Sequence, residues 1–125
     1  VVPRAKENGA YRYDQLLFKL AVGEYAKSTP GFRDGSDFIV RHTNTRTTHL
    51  RQPMTGFVND GPMPYPGIAL DTCDFSPQIN GSDILLIDDI YTRTVNIDED
   101  VMQALFCKGA RSVVFYAIGN TPRKF

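Results

Sequence analysis

Residues 84–89 read Ile-Leu-Leu-Ile-Asp-Asp, and no other stretch of the chain narrows the choice of fold so far. Four apolar residues in a row lack the alternation of a strand with one wet face. They are expected in a strand buried on both sides, as in a parallel sheet. A parallel neighbour requires a crossover, usually a helix. Residues 97–108 supply one, with Ile97, Val101, Ala104 and Leu105 on one face at helical spacing and Lys108-Gly109 as the stop. A second apolar run, Ser-Val-Val-Phe-Tyr-Ala-Ile-Gly, begins at Ser112. Strand, helix and strand in that order predict the α/β class, a mainly parallel sheet flanked by helices.

The remaining segments fit the same class less sharply. Val1-Val2-Pro3 reads as the end of a buried strand. Residues 11–27 predict a helix with Leu17, Phe18, Ala21, Val22 and Tyr25 along its apolar stripe. A short strand is expected over 37–41, another over Gly67-Ile68-Ala69-Leu70, and a turn over 75–83. Between them, residues 42–66 hold four prolines and two glycines with no periodicity. An irregular tract of that length in a small domain is expected to serve as a lid or binding loop. The 125 residues suffice for one domain. With no leading methionine and a start at the tail of a strand, the chain is expected to lack native N-terminal residues.

Charge and cysteine content exclude several classes. The net charge is zero, but residues 1–53 carry nine Lys and Arg against five acids, and residues 54–125 carry five against nine. That asymmetry fits an anion gripped from the first half and carboxylates supplied by the second. The basic residues are scattered, which argues against direct nucleic-acid binding. No apolar run reaches the roughly 20 residues a membrane helix needs, and no secretory signal is visible. Cys73 and Cys107 are the only cysteines, so a reduced, cytoplasmic setting is expected. With His42 and His49 they match no zinc spacing. Cys107 reads as a buried or half-buried small apolar residue.

Ligands of open α/β sheets sit beyond the carboxyl ends of strands, where Asp88 and Asp89 are expected. Two carboxylates there can accept hydrogen bonds from vicinal hydroxyls or hold a hard divalent cation. The turn Tyr-Thr-Arg-Thr-Val-Asn (residues 91–96) leads into a helix N-terminus, where amides and hydroxyls can cradle a phosphate. The plainer reading is a strand end followed by a capping box, Asn96 with Glu99.

Taken together, Ile-Leu-Leu-Ile-Asp-Asp-Ile-Tyr-Thr-Arg-Thr-Val-Asn (84–96) resembles the phosphoribosyl pyrophosphate motif of type I phosphoribosyltransferases. It is similar above all to the competence-associated, amidophosphoribosyltransferase-like members. The clear resemblance covers about a third of the chain, residues 83–121. It implies that Asp88 and Asp89 bind the ribose hydroxyls and associate with Mg2+, and that Thr92, Arg93, Thr94, Val95 and Asn96 cradle the 5-phosphate. Arg4, Ala5 and Lys6 fall where the family has its pyrophosphate loop, with Arg41 joining them. The tract 42–66 stands in the place of the catalytic flexible loop, with Arg41, Arg46, His49 and Arg51 as candidate cations. The implied activity is Mg2+-dependent transfer of phosphoribose to a nitrogen nucleophile with release of pyrophosphate. The alternative is a non-catalytic module sensing a phosphorylated ribose or nucleotide. Expected partners are phosphoribosyl pyrophosphate or a related sugar phosphate, and a second copy of the chain or a partner protein. Two positions depart from the family's pattern. Thr94 replaces its usual glycine and Asn96 its usual threonine, and Asp98, Glu99 and Asp100 would compete with a phosphate for the helix dipole.

Overall fold

A computed structural model of the chain describes residues 1–48, 56 and 58–122. Its centre is the crossover unit: β3 (Asp83–Tyr91), α3 (Ile97–Cys107) and β4 (Ser112–Asn120). β3 and β4 run parallel, with Leu86 opposite Phe115 and Asp88 opposite Ala117. α3 lays Val101, Ala104 and Leu105 onto this pair, where they meet Leu86 and Ile79 in the buried core. Side chains such as Leu86 and Leu105, each 1% exposed, stabilise the fold by roughly 1.5–3 kcal/mol apiece. α3 ends where Gly109 takes φ 89°. A side chain there would also strike Asn80, whose Oδ1 lies 2.2 Å from the position of a Cβ.

Before it come α1 (Leu17–Ser28), β1 (Ile39–Arg41), α2 (Ile68–Thr72) and β2 (Cys73–Phe75), with single 3-10 turns at Asn8–Ala10, Tyr13–Leu16 and Pro77–Ile79. β1 and β2 form a separate antiparallel pair, Val40 opposite Asp74. The fold is therefore mixed α/β with two small two-stranded sheets, one parallel and one antiparallel. Val2 is buried and donates its amide to Ile87 O at 3.0 Å, so the first residues lie beside β3, but Val1–Pro3 do not form the strand end expected from the sequence. Among the described residues, no helix is long and apolar enough to cross a membrane.

Four further expectations change. Ile68, Ala69 and Leu70 open a helix, α2, with Gly67 at its N-cap, instead of forming a strand, because a four-residue apolar run fits either state. The β3–β4 ladder is covered on one face only. Leu85, Val114, Tyr116 and Ile118 stand 42–67% exposed on the face opposite α3, so an unbroken apolar run here does not mean burial on both sides. The stripe expected on α1 also faces outward at Leu17, Ala21 and Tyr25, and its one buried residue is Gly23. Cys107 is exposed, whereas Cys73 is buried in β2.

Candidate functional site

Asp88 and Asp89 lie inside β3, which runs on to Tyr91. Successive strand side chains point to opposite faces. Asp88 therefore shares the α3 side with Leu86, and Asp89 takes the other side. Each carboxylate accepts the next residue's amide: Asp89 N–H to Asp88 Oδ1 and Ile90 N–H to Asp89 Oδ1, both at 2.8 Å. A ligand meeting both acids has to approach the end of the ladder.

Across from Asp88, the first turn of α3 offers Asp98, 4% exposed. Burial, and then the hydrogen bond and charge of Asp98, push the Asp88 carboxyl up to about 8. Burial raises Asp98 too. Near neutral pH Asp88 therefore keeps a proton that it shares with Asp98, since two carboxylates this close do not both ionise. Asp98 Oδ1, Glu99 Oε2 and Thr92 Oγ1 are buried without a hydrogen-bond partner among the described residues. Unsatisfied oxygens are thus concentrated where strand, turn and helix meet.

The turn itself holds Thr92, Arg93, Thr94, Val95 and Asn96, and Val95 N–H reaches Thr92 O at 3.4 Å. Asn96 sits at φ 53°, ψ 26°, and its side chain makes no cap hydrogen bond. The expected capping box is absent because a cap of that kind needs an extended backbone, whereas Asn96 is left-handed. Glu99 instead accepts the hydroxyl of Tyr91, whose ring packs edge-on against Phe115 at 5.8 Å. The first amides of α3 lack intrahelical partners by construction of any helix, and Arg93, Thr94 and Asn96 beside them are exposed.

Asp100 has a role that sequence reasoning missed. It is 8% exposed and accepts the amides of Gly67 at 2.6 Å and Ala69 at 2.8 Å. Its carboxylate oxygens are both engaged at α2. Sequence carries no signal for a contact between residues 31 and 33 positions apart.

The N-terminal cations divide. Lys6, 4% exposed, donates to Thr45 O at 2.8 Å, Asp60 O at 2.7 Å and Asp60 Oδ1 at 2.9 Å. Arg41, also buried, donates to Arg4 O at 2.5 Å and Thr72 Oγ1 at 2.7 Å. Ala5 O receives the Thr45 amide at 2.7 Å. These residues fasten the base of the 42–66 tract. Gly61 completes that base at φ 91°, where a Cβ would lie 2.2 Å from Asn44 O. Arg4 lies over the Tyr11 ring at 4.2 Å and donates to Gln15 O. Arg46, exposed, donates to Gly61 O at 3.1 Å. His49 and Arg51 lie outside the described residues. Arg4 and Arg46 are thus the solvent-facing members of the expected cation set that the structure describes.

A cavity of about 320 Å³ lies between the 66–70 segment and α3, walled by Pro66, Leu70, Asn96, Glu99 and Gln103. A smaller one of about 90 Å³ adjoins it, sharing Pro66 and Asn96. Among the described residues, no group of three or more His, Cys, Asp or Glu side chains converges to hold a metal alone. No protein-family model, curated protein or solved structure matches this chain.

Proposed function

We propose that this chain is a type I phosphoribosyltransferase-like protein that binds phosphoribosyl pyrophosphate and transfers its phosphoribose to a nitrogen nucleophile. The observation that carries the reading is the β3–turn–α3 junction. Asp88 and Asp89 lie near the end of a parallel strand that runs on to Tyr91, the turn at 92–96 opens onto the first amides of α3, and unsatisfied oxygens of Asp98 and Thr92 are buried there. Carboxyl groups for hydroxyls and amides for a phosphate, one turn apart, suit a sugar carrying both.

Mg2+ fits this donor set as a shared ion. Asp88 and Asp98 would hold it only by giving up the proton between them, and this cation is commonly held by one or two carboxylates together with substrate oxygens. When bound it would offset the charge of the departing pyrophosphate. The chain's own contribution is to orient the ribose at Asp88 and Asp89 and to hold the 5-phosphate at 92–96. Arg4 and Arg46 are the described cations able to turn toward a diphosphate.

A non-catalytic sensing module is the second reading, favoured by one specific observation. Lys6 and Arg41, two of the cations expected to meet pyrophosphate, are engaged by carbonyl and hydroxyl oxygens of the fold. Pyrophosphate release separates the two. Incubation with phosphoribosyl pyrophosphate, Mg2+ and a panel of nitrogen bases and ammonia should yield pyrophosphate above the buffer rate. Tight binding with no release assigns the sensor, and no binding removes both readings.

A further inference from the structure

α2 has a weakness built into its sequence. The residue at its N-cap is Gly67, left-handed at φ 93°, and glycine has no side chain to satisfy the first amides of a helix. A five-residue helix is also far too short to hold itself together. The missing cap arrives from α3, where Asp100 receives Gly67 N–H on one oxygen and Ala69 N–H on the other. Tyr65 is tied to the same unit through its hydroxyl on Asp71 Oδ2 at 3.0 Å. Asp100 in turn donates its own amide to Asn96 O at 3.2 Å. Pro66 on one side and Asn96 on the other line both neighbouring cavities.

We infer that Asp100 is a positioning residue that locks segment 65–71, the return of the long tract, to the turn at 92–96, so that the two move as one body. A change at the turn is then felt at Gly67 and Ala69, and a shift of the tract's return is felt at the turn. The mechanical coupling stands on these contacts alone. Its consequence for ligand binding rests on the phosphoribose reading above.

The test is hydrogen–deuterium exchange on the whole chain, comparing wild type with Asp100→Ala and Asp100→Asn. Losing both acceptors should speed exchange at Gly67 and Ala69 about tenfold or more. Coupling requires faster exchange at 92–97 as well, although alanine is the better helix former at position 100. Residues 101–105 should be unchanged. Asp100→Asn keeps one acceptor and should fall between, and it serves as the reporter should the alanine variant fail to fold. Acceleration confined to 67–69 makes Asp100 a plain cap and overturns the proposal, as does no change at all. Adding ribose 5-phosphate separates the two readings. In wild type it should protect 92–97 and, through Asp100, 67–69. In Asp100→Asn the first protection should persist and the second should weaken. Ribose 5-phosphate that protects nothing in wild type removes the phosphate reading, while the ligand-free comparison still decides the coupling.

Discussion

The β3–α3–β4 unit and the neck formed by residues 4–7, 44–47 and 59–62 are both well-defined parts of this chain, yet they hold together in opposite ways. In the first, Leu86, Val101, Ala104 and Leu105 interlock with Ile79 in an apolar core. In the second, Lys6 takes three oxygens. Asn59 and Thr47 exchange a reciprocal pair of hydrogen bonds at 2.8 and 3.2 Å. Arg46 N–H adds a bond to Pro62 O at 3.0 Å. An apolar core is non-directional and tolerates a similar shape. A buried polar set depends on every partner, because each one lost leaves others unsatisfied. The neck thus gives the long tract a fixed base at the expense of tolerance to substitution.

The contrast should break most visibly in the core. Leu105→Ala should destabilise the chain by about 2–5 kcal/mol, read as a lower denaturation midpoint by every probe at once. Lys6→Met should cost about 1–3 kcal/mol, because Thr45 O and Asp60 lose their buried donor. Its signature differs, with proteolysis accelerated between residues 44 and 62 while exchange in α3 stays at its wild-type rate. Equal loosening of α3 would show that neck and core are one cooperative unit.

A smaller effect follows from the acids inside β3. Folded Asp88 holds its proton to about pH 8, whereas an ordinary aspartate loses it near 3.8. The folded state therefore binds more protons across that window, so this contribution to stability is full below about pH 4 and is lost as pH rises toward 8. Water reaches part of Asp88 and screens the effect. Melting curves at pH 5 and pH 8 should show Asp88→Asn gaining on wild type at the higher pH. A constant gap between the two proteins would remove the shared proton. Smallest of all, Tyr25→Ser on the outward side of α1 should stay within about 0.5 kcal/mol. A larger loss would mean that α1 packs its expected stripe after all.

The same contrast explains what could be read in advance. α3 follows from apolar periodicity and β3 and β4 from apolar runs, with bounds close to those expected except that β3 continues past the acid pair to Tyr91. The turn's position was legible too, since a strand that must cross to a parallel neighbour places a loop between Tyr91 and Ile97. Which face of the ladder stays open was not legible, because Leu85 and Leu86 look alike in sequence and only α3 distinguishes them. The partners of Lys6 and Asp100 were invisible for a different reason. Apart from the Asp60 carboxylate on Lys6, their partners are backbone carbonyls and amides, so composition leaves little trace of them. Asp98 was read as a rival to phosphate and is buried beside Asp88, a contact that exists only once the crossover has closed.

Binding at that closed junction is the central claim, and calorimetric titration of phosphoribosyl pyrophosphate, with and without Mg2+, tests it most directly when wild type is run beside a double Asp88→Ala, Asp89→Ala variant. The account predicts saturable binding to wild type, strengthened by Mg2+, and no detectable heat from a double variant whose melting temperature shows it to be folded. Equal affinity in the two proteins, or none in wild type under either condition, would contradict it.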